Sequence, residues 1–201
     1  MLNLWNILLF HVAQMKHLCY ILRAVPKPTR KGGKFMSLNE AFIAELQQEA
    51  VTTHKCLERI PEDKFDWKPH EKSFTMSRLA THIAEMVSWT NDTLEKSELD
   101  FATIDYKPFE LKTTAQLVEY FDKNLAAATE SLKNASDEAL MENWKLRNGE
   151  EIYFEMPRVQ VLRGMVFNHI INHRGQLSVY LRLNDIPVPA LYGPSADEGS
   201  M

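Results

Sequence analysis

The chain has 201 residues, 45% hydrophobic and 25% charged, a balance that suits one soluble globular domain with a substantial core. The six basic residues before Met36 (Lys16, Arg23, Lys27, Arg30, Lys31, Lys34) stand without an acid. Taking those six positive charges from a formal net charge of −4 leaves −10 for residues 36–201, and an acidic body argues against a nucleic-acid-binding role. Two cysteines, Cys19 and Cys56, give no disulfide framework and fit a reducing, cytoplasmic setting.

Residues 1–35 differ from the rest. Leu2 to Leu22 is apolar but broken by His11, Gln14, Lys16 and His17, which is too interrupted for a transmembrane helix. It lacks the positive start and small-residue cleavage site of a signal peptide. Pro26 to Lys34 reads as a basic linker. An extension from an upstream start is favoured over a membrane-surface helix or an anchor, because Met36-Ser37-Leu38-Asn39-Glu40 can itself begin a domain. The expected organisation is an extension over 1–35, disordered or an isolated helix, and a helical domain over 36–201 with no membrane role.

A first helix is expected from about Asn39 to Arg59, with Phe42, Leu46, Ala50 and Leu57 on its apolar stripe. Ile60-Pro61-Glu62-Asp63 ends it. After a connection in which Trp67 plugs one end of the bundle, Ser73 or Thr75 caps a second helix running to about Lys96. Its stripe is Leu79, His82, Met86, Trp89 and Thr93, so His82 faces the core. Leu99 to Lys112, with Pro108, reads as a loop. Thr113 and Gln116 form a capping box for a third helix to about Ala135, whose stripe is Leu117, Phe121, Leu125, Ala128 and Leu132. Ser136-Asp137-Glu138 caps a short extra turn. Asn148-Gly149 predicts a small β-hairpin with a two-residue turn. Pro157 opens the last helix, which runs to about Asn184 before Ile186-Pro187-Val188-Pro189 stops it. The sum is an all-α four-helix bundle with a hairpin between the third and fourth helices and a long crossover between the second and third.

The last helix carries the sequence's most informative stretch. Leu162, Val166, His169, His173, Gln176 and Tyr180 recur at steps of four and three, the seam of a bundle helix. His169 and His173 stack one turn apart on that seam, a spacing that suits two ligands of one metal ion. A hydrogen-bonded core pair is the competing account. His82 supplies a third inward imidazole from the second helix. Three neutral imidazoles leave a fourth position open on zinc, which can take water, with its pKa lowered to about 7, or a substrate thiolate. Zinc and nickel both accept imidazole.

His54 is a rival ligand, because the first helix's rotation is loosely set by its pattern. His70 suits a connection, and His11 and His17 lie outside the domain. Cys56 reads as a small apolar residue. Glu85 lies off the His82 stripe and reads as solvated. Met86 and Trp89 read as core or pocket wall. Gln176 and Tyr180 read as packing residues or as hydrogen-bond partners that orient a ligand.

Four stretches resemble the DinB/YfiT-like family of metal-binding four-helix bundles: Asp63 to Ser73, Leu79 to Glu85, His169 to Leu183, and Val188 to Glu198. The resemblance covers about Met36 to Glu198. It implies metal ligands at His82, His169 and His173, a divalent ion (zinc or nickel), often a homodimer, and a stress-response role. Where many relatives have a further histidine before the last ligand, this chain has Asn172. The activity implied is metal-dependent transfer of a low-molecular-weight thiol (bacillithiol, mycothiol or glutathione) to an electrophilic small molecule. A non-catalytic metal-binding stress protein and a metal-dependent hydrolase are the alternatives.

Overall fold

The computed structural model describes residues 36–104 and 109–199. The expectations for residues 1–35 and for Pro108 lie outside the described residues.

The first helix, α1 (Leu38–Glu58), begins with a capping box. Glu40 reaches back to accept from the Ser37 backbone N–H at 2.9 Å. Its buried face holds Phe42, Leu46, Ala50 and Leu57 as expected, and also Glu49, Thr53 and Cys56. Thr75, not Ser73, caps α2 (Met76–Met86), its hydroxyl accepting from Arg78 N–H at 3.2 Å.

The second helix does not run unbroken to Lys96. It pauses at Val87 and Ser88 and resumes as α3 (Trp89–Glu95). The cause is local. Ser88 donates to the Glu85 carbonyl through both Oγ (2.8 Å) and N–H (3.0 Å), tightening the ladder to i→i+3.

The expected loop after α3 contains a strand, β1 (Glu98–Asp100), and a single 3-10 turn at Phe101–Thr103. Three residues are too few to show a period of two. Tertiary partners hold β1 instead. Glu98 accepts from Arg147 Nη2 at 2.7 Å, and Asp100 Oδ1 accepts from Gly149 N–H at 2.9 Å.

The third bundle helix, α4 (Thr114–Asn134), is capped by Thr113. Asn124, not Leu125, completes its buried stripe, donating to the Ala84 carbonyl at 3.0 Å. Leu125 is half-buried. A short α5 (Asp137–Met141) follows, and Asp137 accepts from the Leu38 N–H that opens α1 at 2.8 Å.

The hairpin is longer than expected: β2 (Asn143–Asn148) and β3 (Glu151–Pro157). Its two-residue turn is Gly149-Glu150, one residue later than the sequence suggested. Gly149 has φ +59° at the first turn position, the residue and backbone demanded by a type II′ turn. Together β1, β2 and β3 form a sheet in that order, with β1 parallel and β3 antiparallel to β2. Leu99, Trp144, Leu146 and Phe154 of the sheet pack on Val161 and Met165, making a second small core.

The last helix is continuous but not uniform. After α6 (Arg158–Val161) comes a π-helical turn, Leu162–Phe167, and then α7 (Asn168–Leu183). Asp185, with φ 58°, ends α7, and Ile186 N–H reaches back to the Leu181 carbonyl at 3.0 Å in a Schellman closure. The bundle closes because α1 packs on α4 and α7, and α2 packs on the same two. Among the described residues, no helix is long and apolar enough to cross a membrane.

Two electrostatic fasteners hold the periphery. Arg158, buried, donates to the carbonyls of Thr93 (2.9 Å), Ala139 (3.1 Å) and Lys96 (3.4 Å). It thereby meets the Thr93 and Lys96 carbonyls at the end of α3, while the Ala139 carbonyl also accepts from Glu142 N–H at 3.3 Å. The tail is tied down by Arg59 with Glu198 and by Arg182 with Asp197. Their carboxylates also accept from Ala190 N–H (3.1 Å) and Val188 N–H (2.8 Å). The hydrogen bond from Arg182 holds the Asp197 carboxyl below its usual range, and that from Arg59 does the same for Glu198.

Replacing Arg158 leaves buried carbonyls without donors. Arg158→Met should lower stability by about 2–4 kcal/mol, read from urea denaturation. The tail should respond to acid. Its carboxylates ionise more readily in the folded state, so the tail is held fully above the ordinary carboxylate pKa of about 4. That hold is lost as pH falls through the depressed folded values. The amide resonances of Val188 and Ala190 should report this release before the bundle unfolds.

Candidate metal centre

The site lies where α2 faces α7. On α2, His82 sits among Leu79, Ile83 and Met86, so its imidazole is carried into the core by the same stripe that buries its neighbours. On α7, His169 and His173 lie one turn apart. The three side chains are 1%, 4% and 4% exposed, respectively. Ring centroids are 5.3 Å apart for His82–His169, 5.0 Å for His82–His173 and 4.6 Å for His169–His173. One nitrogen from each ring falls within 4.8 Å of the others, the arrangement of a group that could hold a metal ion. Zinc–nitrogen bonds of about 2.0 Å in a tetrahedral site put the ligand nitrogens about 3.3 Å apart, so small side-chain rotations bring the three rings onto one ion. The donor set suits zinc or nickel: three imidazoles and no carboxylate.

The residues around the rings have definite tasks. His173 Nδ1 meets Gln176 Oε1 at 2.8 Å, and an amide oxygen there calls for the tautomer with the proton on Nδ1 and the lone pair on Nε2. Gln176 itself is exposed. The stripe expected to continue through Gln176 and Tyr180 instead advances by fours, from His169 and His173 to Leu177 and Leu181. Tyr180 is half-buried, and its hydroxyl donates to the Phe74 carbonyl at 3.3 Å. Phe74 and Trp89 flank the cluster edge-on, 6.1 Å from His82 and 6.4 Å from His169.

Glu85 is not solvated. It is 6% exposed, with Oε2 3.6 Å from His82 Nδ1 and 3.7 Å from Arg78 Nη1. Its place three residues after His82 was the available signal, since i and i+3 share a helix face.

Arg174 was missed altogether. It is 1% exposed, beside His173 in sequence but aimed the other way, at α1. Its guanidinium meets Glu49 Oε2 at 2.6 Å, the Glu49 carbonyl at 3.0 Å, Thr52 Oγ1 at 2.6 Å and Thr53 Oγ1 at 3.2 Å. It also donates to Tyr192 Oη at 2.5 Å, and that hydroxyl donates to Glu49 Oε2 at 2.7 Å. Burial, and then the hydrogen bond to Glu49, raise the Tyr192 phenol above its ordinary pKa. Nothing in the sequence marked it, because the burial of Glu49 and Thr53 shows only once α1 is packed on α7.

The other candidates lie elsewhere. His54, its side chain 31% exposed, bridges Glu58 (3.3 Å) and Asp122 (3.5 Å) between α1 and α4, away from the cluster. His70 is exposed and accepts from Lys72 N–H at 3.1 Å. His11 and His17 lie outside the described residues. Cys56 is buried, and burial pushes its thiol up to about 11.

A family model described as the DinB family matches residues 36–200. A Bacillus subtilis (strain 168) protein described as uncharacterized protein YrdA is 26% identical over 162 residues, covering 78% of this chain and 89% of that one. Two solved structures share the fold. One is a DinB-like protein from Bacillus cereus ATCC 10987, with TM-score 0.60 and 22% identity over 76% of this chain and 97% of that one. The other is a DinB-like protein, YjoA, from Bacillus subtilis, with TM-score 0.58 and 19% identity over 72% and 92%. A match that spans the whole described bundle places this chain in the DinB family.

Proposed function

We propose that the protein binds one divalent metal ion, zinc or nickel, through His82, His169 and His173. We propose further that it uses the ion to transfer a low-molecular-weight thiol to an electrophilic small molecule. The observation that carries this is three buried imidazoles, from two facing helices, converging within 4.8 Å. When bound, such an ion supplies Lewis acidity that keeps a thiol ionised at neutral pH. The chain's own residues do the rest. Gln176 holds His173 in one tautomer. Glu85 places a carboxylate against His82, which favours the ring orientation that turns the opposite nitrogen inward. Phe74 and Trp89 give the site apolar walls, which suit an apolar electrophile and disfavour competing water. In the transfer itself, the thiolate sulfur forms a bond to the electrophilic carbon and the leaving group departs with its electron pair.

A second reading is favoured by the low exposure of the three rings. In it the ion only ties α2 to α7 and there is no turnover.

Protein purified without a polyhistidine tag should carry about one zinc or nickel ion per chain by elemental analysis. His82→Ala, His169→Ala and His173→Ala should each lose it. Gln176→Leu should keep the ion but bind it about tenfold more weakly. The metal-loaded protein should join bacillithiol or glutathione to an aryl chloride, with thioether formation lost in the three histidine variants. Heat destabilisation on chelation, with no thioether from either thiol, would leave the tie between helices as the function.

A further inference from the structure

We propose that Arg174, together with Glu49 and Tyr192, is the positioning element of the histidine site. It sets the rotation of α7 about its own axis, and it makes that setting depend on the docked C-terminal tail. This rests on the metal-site reading above.

Successive residues on a helix point about 100° apart. His173 faces α2, so Arg174 faces α1, and one rotation of α7 governs both. An imidazole nitrogen lies about 6 Å from the helix axis, and a 10° rotation carries it about 1 Å. A metal–ligand distance tolerates about 0.2 Å. A 10° error in the rotation of α7 therefore exceeds that tolerance several times over and has to be taken up by the histidine side-chain torsions.

Apolar contacts alone define such an angle poorly, because they have no directional preference. Ile170, Leu177 and Leu181 bury α7 through contacts of this kind. The guanidinium differs. It is a rigid planar fork, and its donors meet four groups of α1: Glu49 Oε2, the Glu49 carbonyl, Thr52 Oγ1 and Thr53 Oγ1. A turn of α7 would stretch all of these bonds at once. Stability does not account for such a group in a core, since a buried ion pair is often no better than an apolar residue of its size. Definition of geometry accounts for it.

The tail enters through Tyr192. Its ring covers the guanidinium, with Arg174 Cζ 5.0 Å from the ring centroid. Its hydroxyl bridges Arg174 and Glu49, yet the residue is largely exposed. The segment that carries it is fastened by Arg59 with Glu198 and Arg182 with Asp197. Lifting that segment removes one partner from each member of the buried pair. The histidine pair is thus linked to a surface segment on the far side of α7.

The test compares Tyr192→Phe, Arg174→Lys and Arg174→Met with Arg158→Met, a buried arginine with no bond to α7 or its histidines. Cobalt(II) affinity and the visible spectrum of the cobalt form are measured on folded protein. In parallel, the imidazole nitrogen and proton resonances of His169 and His173 are recorded without metal. Arg174→Lys and Tyr192→Phe should each weaken cobalt binding at least threefold, alter its spectrum and shift both imidazoles. Arg158→Met should lower the melting temperature and leave affinity, spectrum and imidazoles alone. Arg174→Met should weaken binding at least tenfold where it folds, and the two milder variants carry the test where it does not. Unchanged imidazole resonances and unchanged cobalt affinity in Arg174→Lys and Tyr192→Phe would overturn the proposal. If the parent protein takes up no cobalt, the metal-site reading falls. The metal-free resonances then still decide whether Arg174 orients the histidines.

Discussion

Burying an imidazole costs free energy unless its polar nitrogens are met, and this bundle buries three side by side. That constraint explains the company they keep. Glu85 and Gln176 stand against two of the rings, and aromatic side chains close around them. A core built only for stability would fill the space between α2 and α7 with leucine. This one accepts a polar cluster at its centre and surrounds it with an apolar shell from all four bundle helices.

The small sheet contributes to the same site from outside the bundle. Trp89 packs on both hydrophobic clusters, the main core and the one under β1 to β3, and its ring stands beside His169. The pause at Ser88 separates the helical piece that carries His82 from the one that carries Trp89. The π-helical turn ends two residues before His169, and Met165 within it packs on the sheet cluster. A π turn at this point lets one helix serve two cores in succession. The histidine pair therefore follows a segment already fixed by the sheet.

How much of this could be read in the sequence depended on whether a residue obeyed the periodic rule it was tested against. His82, His169 and His173 were legible because each falls on an apolar stripe at steps of three and four. The capping residues Thr75 and Thr113 were legible because their chemistry is local. Glu49, Thr53, Asn124 and Arg174 were not, because a polar residue on a stripe looks like its edge until the partner across the interface is known. Glu85 failed for the same reason. β1 was hidden because its three residues are held by Arg147 and Gly149, almost fifty residues along the chain. The hairpin turn was found one residue early, since Asn148-Gly149 and Gly149-Glu150 are separated only by where the positive φ falls.

Cys56 carries a consequence for the chemistry proposed. Its thiol is sealed within the main core and raised to about 11 by burial. At neutral pH only about one such thiol in ten thousand is ionised, against a few per hundred for an ordinary cysteine. A protein that brings electrophiles together with thiolates risks being alkylated by its own substrate. In the proposed reaction, packing would withhold Cys56 from the electrophile and leave the small-molecule thiol as the nucleophile at hand.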